Sequence, residues 1–327
     1  MTTKTRVLSG ITPSGSLTLG NHLGALRRFA AAQEGQEGYF FVADLHAMTM
    51  PHEPARLRRL TLETAALFFG AGLDPERSTV FLQSQVPAHV ELSYLLESTA
   101  YVGELSRMIQ FKEKGGRPRT RASLFTYPCL MAADILLYDT ETVPVGGDQD
   151  QHVELARDLA LRFNREYGDT FVVPEVARAA LAARVVDLAD PTAKMSKSAP
   201  DDAAGVIRML DEPRLVHRKI NRAVTDSDGE MRYDPDRKPG VSNLLDILAA
   251  AAGSRPVELA DRFTSYGELK KHTAEAVIAM LEPIQRRTRD LLSDEAELVR
   301  LLRHGAKKAA AQAGPVLARA RSATGLL

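Results

Sequence analysis

The sequence predicts an α/β protein in which a doubly wound parallel sheet is followed by a smaller α-helical domain. Short apolar segments recur through the first half, and helical sequence separates each from the next, which favours parallel strands joined by crossover helices. The segment Tyr39–Ala43 is apolar throughout, as expected of a strand buried on both faces. Beyond about residue 187 the apolar residues follow a helical period only.

The elements of the first half can be placed in order. A first strand, Arg6–Gly10, leads into a turn at residues 13–15, and a helix is expected from Gly20 to Ala32. A second helix begins at Pro54, where proline fits the first turn, and ends at Gly72. The other strands are predicted at 39–43, 79–82 and 143–145.

The second half contains helices separated by breaks such as the Lys238-Pro239-Gly240 segment. These helices are predicted at 210–223, 241–252, 257–262, 269–292 and 296–320. We therefore expect a Rossmann-like domain over residues 1–186 and a helical domain over 187–289. The final segment, 290–327, is expected to pack back on the sheet domain.

Composition limits the class of protein. Hydrophobic residues make up 44% and charged residues 26%, as in soluble globular proteins. No apolar run approaches the ~18 residues of a membrane span, and the N-terminus lacks an apolar signal region. We therefore expect a cytoplasmic protein without membrane association. Cys129 is the only cysteine, which excludes an internal disulfide and a cysteine zinc site.

Charge gives little support for nucleic-acid binding, because 42 basic residues balance 42 acidic ones. A local basic cluster lies between Lys112 and Arg121, but a solvated loop explains it equally well.

Two short segments carry the chemistry. Residues 194–198 set two lysines three apart among hydroxyls, a pattern suited to a mobile loop that binds nucleotide phosphates. Residues 18–21 lie between the first strand and the first helix, where open parallel sheets bind ligands, and Gly20 would let the backbone approach a nucleotide. Alone, this second segment could be an ordinary glycine turn. We expect the neighbouring His22 to be a surface histidine and not a catalytic group.

Together, the two segments resemble the signatures of class I aminoacyl-tRNA synthetases. Thr18–Asn21 stands where that class carries its His-x-Gly-His sequence, and Lys194–Ser198 matches the second signature without alteration. Further segments are similar to tryptophanyl-tRNA synthetases of the bacterial type, at 110–114, 131–138, 143–146, 148–149, 157–159, 162–164 and 223–227. The resemblance implies an enzyme whose substrates are ATP, L-tryptophan and tRNA(Trp).

One helix face is a candidate pocket for the amino acid. Tyr127, Met131 and Asp134 are spaced i, i+4 and i+7, so they share a face. Methionine and aromatic residues at this spacing are more often core. However, an unpaired buried carboxylate is costly, and an indole N–H would pair with it. The resemblance assigns Asp134 this role. Such a site rejects phenylalanine, which lacks the donor, by ~10⁴ or more, so no editing domain is needed.

The remaining roles are implied by the resemblance. Catalysis would fall to Lys194 and Lys197 at the pyrophosphate, Lys114 assisting them, and Thr18 and Asn21 at the phosphates. The tryptophan pocket would comprise Asp134, Tyr127, Met131, Gln149 and His46. The ATP site would comprise Thr12, Pro13, Ser14, Gly20, Asn21, Gly146, Gly147, Asp148, Val185, Lys194, Met195, Ser196, Lys197 and Ser198. Asp148 could instead, or in addition, cap a helix.

The implied reaction has two steps. The tryptophan carboxylate attacks the α-phosphorus of ATP without a general base, so catalysis rests on positioning and on stabilising the charge of the departing pyrophosphate. Mg²⁺ would arrive with ATP, without a dedicated protein metal site. Tryptophan is then transferred to the 2′-hydroxyl of the terminal adenosine of tRNA(Trp). The resemblance also implies a homodimer and anticodon recognition by residues 187–289.

Three positions depart from the family pattern. Thr12 and Leu45 stand where glutamine is common, and Gly147 stands where glutamate is common, which bears on the fine geometry of the ATP and indole sites. Three alternatives remain. A tyrosine synthetase would need a polar pocket end for a phenol. A nucleotidyl transferase would not explain a lysine loop that leads into a helical domain. A non-catalytic RNA-binding or regulatory relative would usually lose the signature residues, which are intact in this chain.

Overall fold

One parallel sheet forms the centre of the molecule. The computed structural model describes residues 5–116, 118–145, 150–178 and 185–327. Within them the strand order is β3-β2-β1-β4-β5, with all pairs parallel. The strands are β1 (Arg6–Ile11), β2 (Glu37–Val42), β3 (Ser78–Leu82), β4 (Thr142–Val145) and β5 (Glu175–Arg178). The predicted fold class is confirmed, and four strands overlap their predicted positions; β5 was not predicted.

Helices surround the sheet and make up the second half of the chain. They are α1 (Leu19–Asn21), α2 (Arg27–Ala32), α3 (Asp44–Ala47), α4 (Pro54–Gly70), α5 (Ala88–Glu97), α6 (Val102–Leu105), α7 (Ile109–Lys114), α8 (Ser123–Leu136), α9 (Asp150–Tyr167), α10 (Pro213–Asn221), α11 (Pro239–Ala252), α12 (Pro256–Ala260), α13 (Tyr266–Ser293) and α14 (Glu295–Ala323). A π-helical segment, His22–Leu26, joins α1 to α2 in one run that matches the predicted first helix. None of the helices just given is long and apolar enough to cross a membrane.

The strand order defines where a ligand can bind. The neighbours of β1 are β2 on one side and β4 on the other, so the order reverses between β1 and β4. The crevice beyond the carboxyl ends of the strands at such a reversal is the usual ligand site of doubly wound sheets. The turn that follows Ile11 opens at this position.

The sheet is buried on both faces, as the apolar second strand predicted. Phe40 and Val42 contribute to one core cluster, while Tyr39 and Phe41 contribute to a second cluster. The first cluster includes side chains of α4, α11 and α13, and the second includes side chains of α5, α8, α9 and α14. Alternate side chains of β2 therefore enter opposite cores.

The last helix packs on the sheet. A Cβ added to Gly305 of α14 would lie 1.8 Å from the carbonyl oxygen of Val80 in edge strand β3, so this approach of two backbones requires glycine. Nearby, Lys308 donates to the carbonyl oxygen of Pro75 at 2.9 Å. Helix α13 packs against α4, α10 and α11. The division of the chain into domains at residues 186 and 289 stays a prediction.

Candidate active site

The turn after β1 enters α1 through a reciprocal cap. The Thr18 hydroxyl accepts from the Asn21 N–H at 3.3 Å, and the Thr18 N–H donates to Asn21 Oδ1 at 3.0 Å. Thr18 is fully buried. Each side chain therefore accepts from the backbone N–H of the other residue, which fixes the start of the helix. Their predicted contact with phosphate stays a prediction.

His22 lies directly after this cap and is buried, with 4% of its surface exposed. The prediction of a surface histidine is therefore wrong. Burial, and then the charge of Arg27, lower the pKa of His22 to about 4. The imidazole is therefore neutral near pH 7. It is buried because the π-helical segment that begins at His22 packs this side chain into the core.

The lysine loop, residues 194–198, lies against the turn after β1. Lys197 Nζ donates to the carbonyl oxygen of Thr12 at 2.7 Å. A Cβ on Gly15 would lie 2.1 Å from the carbonyl oxygen of Lys197, so this contact between the two segments requires glycine. A Cβ on Gly20 would lie 3.6 Å from Val185 Cβ. The structure thus brings together the two segments that the sequence paired.

The extended segment before the lysine loop and helix α11 hold the base of the loop. Val186 and Lys194 pair in an antiparallel bridge, and the buried Met195 donates its N–H to the carbonyl oxygen of Val185 at 3.3 Å. The Asn243 side chain of α11 accepts from the Val186 N–H at 3.0 Å and donates to its carbonyl oxygen at 3.2 Å. The start of the loop is therefore held by these contacts, whereas Ser196 and Ser198 are exposed.

The two lysines of the loop have different environments. Lys194 is exposed, whereas burial and the neighbouring Lys194 charge lower the pKa of Lys197 to about 8. A polyanion bound at this point would relieve the repulsion and favour the charged form of Lys197. The predicted binding of phosphates by these two lysines stays a prediction.

Asp134 is the centre of a buried polar network. Its carboxylate, on α8, is 2% exposed. Gln83 Nε2 donates to Oδ1 at 2.7 Å and to Oδ2 at 2.9 Å, while His89 Nδ1 lies 2.6 Å from Oδ1. His46 Nε2 lies 2.9 Å from Oδ2. Three protein side chains therefore bond to Asp134, and its pairing with an indole N–H stays a prediction.

This network keeps Asp134 ionised. Burial alone would raise the pKa of the carboxyl group, but hydrogen bonds from His46 and His89 outweigh burial and lower it. With Nδ1–H of His89 donating to Asp134, its Nε2 accepts from the Tyr138 hydroxyl at 2.8 Å.

The partners of Asp134 come from the carboxyl edge of the sheet. His46 lies in α3 directly after β2, and Gln83 follows Leu82, the last residue of β3. The sequence predicted His46, but it missed Gln83, His89 and Tyr138. Gln83 could have been found, because a polar residue that follows a buried parallel strand lies at the ligand-binding edge.

Tyr127 and Met131 lie on the same face of α8 as Asp134, and both are partly buried. The hydroxyl of Tyr127 lies 2.6 Å from Nε2 of His152, and its ring centroid lies 6.3 Å from that of His46. Burial raises the pKa of the Tyr127 phenol above its usual range, so the phenol stays protonated. His46, Tyr127 and Asp134 therefore line one small region, as the helical spacing and the resemblance predicted.

The remaining predicted residues have different positions. Lys114 is exposed and donates to Gln110 at 2.7 Å within its own helix, and in the described part of the chain it makes no hydrogen bond or ion pair with the lysine loop. Pro13 is buried and Ser14 is exposed in the turn after β1. The predicted ligands Gly146, Gly147, Asp148 and Gln149 lie outside the described residues.

The fold and the site together define a nucleotide-binding α/β enzyme of the class I synthetase type. A family model described as tRNA synthetases class I (W and Y) matches residues 1–282. Because the match covers most of the chain, the protein belongs to this family, within which its curated relatives are bacterial tryptophanyl-tRNA synthetases.

Full-length relatives support this placement. The chain is 54% identical to tryptophan--tRNA ligase 1 of Streptomyces coelicolor, with 99% of this chain and 98% of the relative covered. It is 49% identical to tryptophan--tRNA ligase of Caldanaerobacter subterraneus, with 98% of each covered.

Solved structures agree. Tryptophanyl-tRNA synthetase of Mycoplasma pneumoniae matches with a TM-score of 0.89 at 36% identity, covering 99% of this chain and 98% of that one. The Campylobacter jejuni enzyme, solved with ADP and tryptophan, matches with a TM-score of 0.84 at 34% identity, covering 98% and 100%.

Proposed function

We propose that this protein activates L-tryptophan with ATP and transfers it to tRNA(Trp). In the first step, a tryptophan carboxylate oxygen bonds to the α-phosphorus of ATP as the bond to the β-phosphate oxygen breaks, which gives tryptophanyl-adenylate and pyrophosphate. In the second step, the 2′-hydroxyl of the terminal adenosine attacks the tryptophanyl carbonyl carbon, and AMP leaves. The observation that best supports this is the Lys197–Thr12 contact, which joins the two signature segments at the ligand edge of the sheet.

Recognition of the indole ring is assigned to Asp134. An ionised carboxylate offers about four acceptor positions, so an indole N–H can join or replace one of the present donors. His89 and Gln83 are fully buried, whereas 13% of the His46 side chain is exposed. We place the approach of the indole on the His46 side for this reason. Tyr127 and Met131 would then contact the rest of the substrate.

Stabilisation of the pyrophosphate is assigned to Lys194 and Lys197. Charge that develops on a leaving group is best stabilised by cations already in position. Lys197 is partly buried and hydrogen-bonded, so it is held in place, and Lys194 is exposed and free to follow the nucleotide. Thr18 and Asn21 shape the turn beside them, and Lys114 is kept as an assisting group.

Mg²⁺ would be brought by ATP. In the described ranges no group of three or more His, Cys, Asp or Glu side chains could hold a metal ion, so the phosphates would supply its main ligands. When bound, the ion would neutralise phosphate charge. Lys194 and Lys197 would then act on the charge that remains.

We propose a homodimer in the cytoplasm, with tRNA bound across the helical region. Large apolar side chains stand exposed on α5 and in the turn and helix that follow it, which supports an interface there. They are Val90 at 55%, Tyr94 at 69%, Tyr101 at 57% and Val102 at 71%. Light scattering should give the dimer mass, and Tyr94→Lys should yield monomers.

Residues 187–289 are proposed to recognise the anticodon.

The decisive test is ATP–pyrophosphate exchange with each proteinogenic amino acid in turn. Exchange that depends strictly on tryptophan is expected, followed by charging of tRNA(Trp). Exchange with tyrosine at a similar rate would overturn the assignment, and so would the absence of exchange with any amino acid.

A further inference from the structure

Arg208 lies between the two signature segments. Its own segment pairs with residues 17–19: Leu19 N–H donates to the carbonyl oxygen of Ile207 at 2.9 Å, and Met209 N–H donates to that of Leu17 at 2.8 Å. Arg208 therefore sits directly opposite Thr18 in an antiparallel bridge. The backbone of Arg208 is therefore paired with the first signature segment, residues 18–21.

The guanidinium group of Arg208 turns back to the lysine loop. It is buried, with 6% of the residue exposed. Nη1 donates to the carbonyl oxygens of Ser16 at 3.0 Å and Lys197 at 3.1 Å. Nη2 donates to the carbonyl oxygens of Ala199 at 2.7 Å and Pro200 at 3.1 Å. One side chain thus holds the turn after β1 and the end of the lysine loop together.

The guanidinium group of Arg208 has an unusual set of partners for a buried arginine. Buried arginines are normally paired with carboxylates. Among the described residues, no carboxylate lies within salt-bridge distance of the Arg208 guanidinium group, and its acceptors are backbone carbonyl groups. The Asp211 carboxylate accepts from the backbone N–H of Arg208 at 2.9 Å, not from the guanidinium group. The planar fork suits this arrangement, because it presents donors in fixed directions that a lysine cannot reproduce. The Arg208 side chain therefore fixes the relative positions of the backbone segments whose carbonyl groups it binds.

We propose that Arg208 is a positioning residue that holds the lysine loop closed on the turn after β1 before ATP binds. The inference rests on the proposed role of this loop in pyrophosphate stabilisation. Arg208 donates to the carbonyl group of Lys197 itself, so it fixes the position of the backbone from which the Lys197 side chain extends. Without Arg208, the tie from the Lys197 ammonium to Thr12 would remain, and the phosphates of ATP would compete for that ammonium.

The first test measures loop mobility without relying on activity. Trypsin cleaves after Lys194 and Lys197, and local opening sets the rate of such cleavage. In Arg208→Met, we expect cleavage at these two bonds in the ATP-free protein to be about tenfold faster or more, resolved by mass spectrometry. Arg162→Met is the matched control, because the Arg162 side chain is also nearly buried and donates to the Thr99 carbonyl and to Glu104, away from the loop. It should leave both cleavage rates unchanged.

Two outcomes of this test would overturn the proposal. The first is an unchanged cleavage rate at both bonds in Arg208→Met. The second is an equal rise at all trypsin sites, which would mean global destabilisation and not release of the loop.

The second test separates positioning from binding. In Arg208→Met, we expect kcat for tryptophan-dependent exchange to fall about tenfold or more while the KM for tryptophan changes by less than about twofold. Arg208→Lys, which keeps the charge but not the fork, should regain part of the loss. An increased tryptophan KM with an unchanged kcat would contradict the inference. If the wild-type protein shows no exchange, the proposed function fails, whereas the cleavage test still decides whether Arg208 holds the loop.

Discussion

Lys197 Nζ lies 2.7 Å from the carbonyl oxygen of Thr12, so the side chain assigned to the pyrophosphate is bound to the residue that follows β1. The ammonium group has two further N–H donors, which phosphate oxygens can accept. The contact thus holds the ammonium group beside the turn after β1, at the ligand edge of the sheet.

Replacing Lys197 with alanine should affect chemistry more than binding. We expect kcat for exchange to fall about 10²-fold or more, because a preorganised cation at the leaving group is lost, while tryptophan affinity changes little. Lys308→Ala is the matched control, since Lys308 also donates to a backbone carbonyl but lies at α14. Weaker tryptophan binding with a normal exchange rate would contradict this role.

The lowered pKa of Lys197 predicts a pH dependence. Only the protonated amine carries the charge that stabilises pyrophosphate, so kcat/KM for ATP should decline as the pH rises through about 8. The decline in kcat should come at higher pH, because bound phosphates favour the protonated form. Arginine does not lose its proton in this range, so Lys197→Arg should lack the decline near pH 8. A wild-type profile that is flat from pH 7 to about 10 would rule out Lys197 as the titrating group.

Replacing Asp134 with asparagine should raise the KM for tryptophan about 10²-fold or more and leave that for ATP nearly unchanged. The amide has one acceptor oxygen in place of two, so it cannot serve His46, Gln83, His89 and an indole N–H together. Asp139→Asn is a suitable control, because asparagine tolerates the φ of 46° at that position. Equal effects on both substrates would remove Asp134 from the indole site.

The contact of the lysine loop with Gly15 can be tested by adding one methyl group. Gly15→Ala places a Cβ about 2.1 Å from the carbonyl oxygen of Lys197, so the loop must move away. We expect a fall of about tenfold or more in kcat for exchange, with tryptophan binding retained. Gly35→Ala, where a Cβ meets nothing within 4 Å, should retain the wild-type rate. If both variants exchange at that rate, the closed loop has no part in activation.

The packing of α14 makes a stability prediction. Gly305→Ala should lower the free energy of unfolding by about 1–3 kcal/mol, because the new Cβ would overlap the carbonyl group of Val80. Gly267→Ala in α13, where a Cβ meets only the Ser265 hydroxyl oxygen at 4.0 Å, should raise the free energy by up to about 1 kcal/mol. Thermal or denaturant unfolding of both variants measures the difference. A stabilised Gly305→Ala would show that the helix lies farther from β3.

The sequence was most informative where one segment carries its own signal. The apolar run at β2 predicted a strand buried on both faces, and the spacing of Tyr127, Met131 and Asp134 placed three side chains on one face of α8. Strand β5 was missed because four residues that begin with Glu175 and end with Arg178 have little apolar pattern, and an edge strand is held through backbone pairing.

Contacts between distant segments could not be predicted in this way. The donors to Asp134 come from three separate elements, and the acceptors of Arg208 are backbone groups, which no residue type reveals. The burial of His22 was missed for a related reason: the side that a helix turns to the core depends on the packing around it.

The contact between Gly305 and Val80 also bears on how the protein is made. Strand β3 is synthesised early, yet one side of this sheet edge is covered only when α14 has left the ribosome. During translation the unprotected edge could pair with another nascent chain. Variants that weaken this contact should therefore give more insoluble protein during expression than their loss of equilibrium stability alone would cause.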